Sequence, residues 1–286
     1  MKHTRKKSKG TWKHMLMWSF LLVVVVALVL GAPVPGVWAQ DDDDDDDDDD
    51  GPIVLEEAKV IIETNFTDGD AGLQIFFDGE AWKKMKIKDP NGKSVFDVKG
   101  KGGLKELGLT ELFLESEEPN FLEDLTLPEI LELLPAGLYT FKGKTAEGDK
   151  VTGEATLSHD LPCAAVLGEP FDVDGAIVPS AGPVVITWAP VTTTLNSDGD
   201  DCAATAITVE TYQVIVENET PNGSFGNEFS VFLPEMGAGN QVTVPAEFIE
   251  ANSTFKFEVL AIADNGNQTI VETWFCTDLA ACPEPD

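Results

Sequence analysis

Through most of the chain, apolar residues fall at every second position in short runs, and turn-forming residues close each run. Leu73, Ile75 and Phe77 alternate with Gln74, Phe76 and Asp78, and Met85 and Ile87 alternate with Lys84, Lys86 and Lys88. Val95 and Val98 flank a third run. Asp78-Gly79, Asp89-Pro90-Asn91-Gly92 and Lys101-Gly102-Gly103 stand between the runs as turns. A period of two sends alternate side chains to opposite faces of a strand, which a helix with 3.6 residues per turn cannot do. Further on, residues 138–141 and 151–157 flank Glu147-Gly148-Asp149 and read as a hairpin. Between these groups, residues 127–134 place apolar side chains at helical spacing with Pro128 near the start, which predicts one short helix. Short strands with regularly spaced turns predict a β-sandwich over residues 53–160, its small helix plugging one end.

Residues 1–39 follow another pattern. Lys2, Arg5, Lys6, Lys7, Lys9 and Lys13 form a basic head without acids, and residues 15–30 are a mostly apolar run of 16. Pro33, Pro35 and Gly36 then break any helix, and Val37-Trp38-Ala39 offers a small-x-small exit. This is the order of a secretory signal peptide, with a mature N-terminus expected at Gln40. The alternative is an uncleaved N-terminal membrane anchor, against which the apolar core falls short of the roughly 20 residues of a spanning helix. The expected location is therefore secreted, periplasmic or cell-surface, with no stable membrane span after cleavage. Residues 40–52 hold the ten aspartates Asp41 to Asp50. Their mutual repulsion and lack of apolar side chains predict a disordered, extended spacer.

Six of the 19 basic residues lie in the export segment, so 13 lysines remain against 51 acids. That balance repels nucleic acid and anionic membrane, which are held by Lys and Arg, and it attracts cations. Residues 83–105 run against it, with eight lysines and only Asp89 and Asp97 as acids. Lys84, Lys86 and Lys88 line one face of a strand. They read either as a solvated face that discourages edge pairing or as an anion-binding face for a glycan, an acidic protein or the chain's own aspartate run.

No catalytic residue can be assigned. His159 is the one histidine beyond the export segment, too few for a histidine-ligated zinc. Adjacency to Asp160 does not make a triad, and an exposed linker histidine is the expectation. There is neither a P-loop nor a dinucleotide fingerprint. Among 51 acids some pair always lies at a glycosidase's carboxylate separation, so that spacing is uninformative. An exposed Trp82 on a shallow face would instead favour glycan binding. Calcium is the one cofactor the sequence offers, through Asp198, Asp200 and Asp201 in Asn196-Ser197-Asp198-Gly199-Asp200-Asp201, and less so through Asp68-Gly69-Asp70. Both stretches read equally as polar turns. Cys163, Cys202, Cys276 and Cys282 form an even set in an exported chain, which suggests disulfides in one of three connectivities.

Over region 171–278, Val184-Val185-Ile186-Thr187-Trp188 is a strand ending in a large apolar residue, a second strand opens at Tyr212, Val242-Thr243-Val244-Pro245 follows, and Phe255, Phe257, Val259 and Ala261 alternate in a last run. This order resembles a fibronectin type III domain, in which Trp188 matches the core tryptophan of the second strand, Tyr212 the aromatic that opens the third, and the Phe255 run the sixth. Two departures are visible: Phe255 stands where the family has the tyrosine of its corner, and the loop over residues 190–207 is long. The resemblance implies a buried Trp188. Through the topology of the family it also implies Cys163–Cys202, between the linker 161–170 and the long loop, and Cys276–Cys282, between the last strand and the tail 279–286. As a whole the chain is similar to bacterial exported proteins carrying one such domain, a likeness that implies no activity. The expectation is an all-β chain of two immunoglobulin-like or fibronectin type III-like sandwiches. It acts as a non-catalytic binding or structural module toward a protein or extracellular glycan. The alternatives are a carbohydrate-binding accessory protein and, more remotely, a glycan-cleaving enzyme.

Overall fold

A computed structural model describes residues 51–220, 227–237 and 239–285. The export segment and the aspartates Asp41 to Asp50 lie outside the described residues. The first half comprises β1 (Ile53–Val54), β2 (Glu57–Asn65), β3 (Asp70–Lys88), β4 (Ser94–Lys99), α1 (Gly103–Leu107), β5 (Leu109–Glu115), α2 (Leu127–Leu133), β6 (Gly137–Thr145) and β7 (Lys150–Leu157). The second comprises β8 (Ala176–Val178), β9 (Val184–Thr187), β10 (Thr193–Leu195), β11 (Cys202–Ala206), β12 (Val209–Asn218), β13 (Glu228–Pro234), β14 (Gln241–Val244), β15 (Thr254–Ala263) and β16 (Gln268–Thr277). The protein is an all-β sandwich fold with two short helices rather than the single one expected.

The spine of the first half is β3. Its N-terminal part pairs with β2 and β5, and its C-terminal part pairs with β4 and β6. The Asp78-Gly79 pair expected to be a turn lies inside this one 19-residue strand, where the register with β5 shifts between Asp78 and Trp82. Leu55 packs closely over Gly79: a Cβ there would stand 3.1 Å from Leu55 Cδ2 and 3.3 Å from Leu55 Cα, so a larger residue would have to push Leu55 aside. Val60, Ile62, Ile75, Phe77, Trp82, Met85, Ile87, Tyr139 and Phe141 fill the space between the layers. Phe77 packs on Trp82 and Phe141 with ring centroids 5.2 and 5.6 Å apart. In α2 the Thr126 N–H donates to the Glu129 carboxylate at 2.9 Å, half of a capping box, while Leu127 and Ile130 turn into the core.

The second half places β13-β12-β15-β16 against the pair β14-β9, the layering that a fibronectin type III-like domain requires. The long loop folds into its own hairpin, β10 against β11. Phe255, in place of the corner tyrosine, stacks on Phe275 with centroids 5.0 Å apart and an interplanar angle of 11°. Both expected disulfides are formed, Cys163–Cys202 and Cys276–Cys282, each with Cα atoms 5.4 Å apart.

The two halves share a sheet. Strand β16 lies parallel to β2, with Gln268 opposite Glu63 and Ile270 opposite Asn65. The β15–β16 turn inserts Asn267, fully buried, into the joint. Its Oδ1 accepts the Ile62 N–H at 2.9 Å, and its Nδ2 donates to the carbonyls of Ser158 and Asp160 at 2.9 and 3.0 Å. The Thr269 hydroxyl donates to the Pro162 carbonyl at 2.6 Å. The long loop closes the joint from the other side, because Gly199 lies where a Cβ would meet Phe121 at 2.9 Å and Leu127 at 3.1 Å. Replacing Asn267 with Ala removes three hydrogen bonds and leaves buried backbone groups unpaired. Asn267→Ala should therefore cost about 2–3 kcal/mol in urea unfolding; a loss under about 0.5 kcal/mol would mean that the turn is not what holds the joint.

Candidate functional site: a lysine face and an acidic seam

Two groups of charged side chains stand out, one exposed and one buried. The first is built by the pairing register of the first half. On β3, Trp82, Met85 and Ile87 point into the core, so Lys84, Lys86 and Lys88 project outward and are exposed. Lys84 sits opposite Lys99 of β4 on one side and Lys144 of β6 on the other, and Lys144 sits opposite Lys150 of β7. Residues directly opposite one another in antiparallel strands share a face. The result is a row of four lysines across four strands, spaced by the roughly 4.8 Å between neighbouring strands. In the next row outward, Lys86 lies between Asp97 and Lys142, with Lys86 Nζ 3.2 Å from Asp97 Oδ2. Lys88 continues the face beside Ser94 and Thr140.

The sequence pointed to Lys84, Lys86 and Lys88 but not to Lys142, Lys144 and Lys150, which lie far along the chain. Their signal was the same alternation, since Lys142 and Lys144 follow the buried Tyr139 and Phe141 at outward positions. Trp82 is not part of this face. It is fully buried, and its indole N–H donates to the Thr110 carbonyl at 3.3 Å, so the exposed tryptophan platform considered for glycan binding does not exist at this position.

The second group lies on the shared sheet. Carboxylate oxygens of Glu63, Glu115 and Glu118 come within 4.8 Å of one another. The Gln268 amide donates to Glu63 and, at 3.3 Å, to the Gln74 side-chain oxygen, and Gln74 in turn donates to Glu115 at 3.1 Å. Burial, helped by the neighbouring Glu118, raises Glu63 from 4.5 to about 8. Burial with the Glu115 charge raises Glu118 to about 7. Further along the same sheet, burial lifts Glu258 to about 7 although Lys256 Nζ stands 3.7 Å away. Glu63 therefore holds its proton at neutral pH, and the oxygens of the trio are of the hard type that calcium or magnesium takes. No sequence pattern marked it, because its members come from β2, the end of β5 and the segment after it.

The acidic loops are self-contained turns. Asn196 Oδ1 accepts the N–H groups of Asp198 and Asp200, each at 3.2 Å, Asn196 Nδ2 donates to Asp200 at 2.8 Å, and Asp201 accepts the Cys202 N–H at 2.7 Å. Asp198, Asp200 and Asp201 are exposed. Asn65 Oδ1 likewise accepts the N–H groups of Thr67 and Asp68 at 3.0 and 3.2 Å. His159 is half-buried rather than exposed: its Nε2–H donates to the Leu134 carbonyl at 2.6 Å, beside a cavity of about 140 Å³ that also touches Leu131 and Leu195. That volume is well below the roughly 300 Å³ at which small-molecule sites begin.

No family of known proteins matches the chain's sequence, and no curated protein matches it. Among solved structures it is similar to the FN1–FN3 domains of chicken CNTN1, at 11% identity over 79% of this chain and 65% of that one, with a TM-score of 0.30. It is also similar to a 1.5-MDa bacterial ice-binding adhesin, at 11% identity over 80% and 67% of the two chains with a TM-score of 0.24. A third is a calcium-stabilised adhesin with which an Antarctic bacterium binds ice, at 12% identity over 79% and 48% with a TM-score of 0.26. The chain thus spans less than two thirds of the first of these structures. At these TM-scores the likenesses add nothing to the assignment, which rests on the strand order.

Proposed function

We propose that the chain is a non-catalytic binding module that works outside the cytoplasm and presents its lysine face to an anionic partner. The observation that carries this reading is the four-strand row Lys99, Lys84, Lys144 and Lys150. In a chain of 19 basic and 51 acidic residues, four of the lysines share one row of one face. The export pattern of residues 1–39 and the two disulfides support an oxidising, external setting. The shared sheet and the buried Asn267 support a rigid mounting for that face.

Immobilised dextran sulfate provides the test. Lys84→Gln, Lys86→Gln and Lys88→Gln together should weaken retention about tenfold, since each exposed pair contributes up to about 1 kcal/mol. Raising the salt to about 1 M, where the screening length is about 3 Å, should abolish it. Retention of the triple variant equal to that of the parent would refute the assignment of the face.

A further inference from the structure

We infer that the anionic partner is a linear acidic polysaccharide lying across the strands, an inference that rests on reading the lysine face as the binding surface. The charges form a lattice rather than a cup. Lys99, Lys84, Lys144 and Lys150 run perpendicular to the strands, and Lys86 and Lys142 repeat the pattern one row along, about 7 Å away along the strands. A compact anion needs donors that converge on one point. A periodic array instead matches a chain whose own charges repeat, because shifting that chain by one unit restores the same contacts.

Two other polyanions fit less well. A protein interface is centred on buried aromatic or aliphatic anchors. Here the positions between the lysines are Ser94, Asp97, Thr140 and Thr152. The exposed apolar side chains are isolated ones at its edges: Val95 and Leu138 near the Lys88 end and Val54 beside Thr152. Nucleic acid is read with arginine, and single strands are held by stacked aromatics. This face is built from lysine alone, and Trp82, the aromatic next to it in sequence, is buried. Duplex DNA carries a charge every 1.7 Å or so along its axis. It would meet the repulsion of the chain's 51 acids far more strongly than a glycan with one charge per sugar or per disaccharide.

The experiment measures binding of the purified full chain to polygalacturonate, dextran sulfate, neutral dextran, poly-glutamate and duplex DNA at about 0.1 M salt, where the screening length is about 10 Å. The two acidic polysaccharides should bind, and the stronger of them tells whether carboxylate or sulfate is the natural charge. Neutral dextran should not bind, and poly-glutamate and DNA should bind at least about tenfold more weakly. Lys84→Gln, Lys144→Gln and Lys150→Gln together should reduce polysaccharide binding about tenfold, while the same three positions changed to Arg should retain it. Poly-glutamate or DNA binding as tightly as either polysaccharide would overturn this inference and leave the lysine face standing as a general anion site. Binding to no polyanion, or binding unchanged in the Gln variant, would overturn both.

Discussion

Raising the pH from about 5 to about 8.5 at fixed ionic strength should lower the unfolding free energy by several kcal/mol, and Glu63→Gln should remove the share of that fall that Glu63 contributes. Glu63 is 2% exposed on a strand buried at the joint between the halves. Burial is the largest cause that raises it from 4.5 to about 8; the charges of Glu118, Glu115 and Glu258 add to the shift, and the Gln268 amide opposes it. In the folded protein the group therefore keeps its proton through neutral pH, whereas in the unfolded chain it loses the proton above about 4.5. The folded state binds more protons across that interval, so stability falls as pH rises. The contribution is complete below about 4.5 and is lost progressively up to about 8. At about 1.4 kcal/mol per unit, the contribution of Glu63 is on the order of 5 kcal/mol. Glu118 and Glu258, each raised to about 7, steepen the same interval. Glutamine reproduces the protonated shape and can still meet Gln268, so the variant should match the parent near pH 5 and exceed it above pH 8 or so. Urea unfolding at a series of pH values decides this. Stability that rises toward pH 8 in the parent would mean that Glu63 is already ionised in the folded protein and otherwise compensated.

The alternation of apolar residues made the strands at residues 73–77 and 85–87 legible; at 85–87 it records a sheet with one wet face, whereas at 73–77 both faces are buried, Gln74 and Phe76 included. It also placed Lys84, Lys86 and Lys88 outward. It could not show that those runs are one strand, since Asp78-Gly79 reads as a turn in sequence yet stays within β3. Nor could it show which strands lie side by side. Period two gives the face of a residue but not its neighbour, so the approach of Lys144 and Lys150 to Lys84 came only with the register. The second half was easier, because Trp188, Tyr212 and the Phe255 strand pack in a pattern that local sequence carries. The acidic seam was illegible for the opposite reason. Glu63, Glu115 and Glu118 look like surface glutamates until β16 is laid against β2, and Asn267 looks like a turn residue until that turn is buried.

Trp188→Ala should cost about 3–5 kcal/mol, whereas Trp188→Phe should cost under about 1.5 kcal/mol. The side chain closes strand β9 at 4% exposure, with its ring centroid 5.3 Å from that of Tyr212 in an edge-to-face arrangement at 61°. The Tyr212 hydroxyl in turn accepts the Val191 N–H at 2.8 Å, at the start of the long loop that carries Cys202. Truncation to alanine therefore opens a cavity under the β13-β12-β15-β16 layer and frees the ring that anchors the loop. Phenylalanine keeps the edge-to-face contact and most of the buried area. It also removes an indole N–H that is buried without an acceptor among the described residues, a gain that offsets part of the lost volume. A core residue follows this order, with a large loss for Ala and a small one for Phe, and polyanion binding by the folded fraction is unchanged in both. A ligand platform would behave in the reverse way: Trp188→Ala would leave the unfolding midpoint where it was and abolish binding. Urea unfolding and dextran sulfate retention, measured on the same two variants, separate the outcomes.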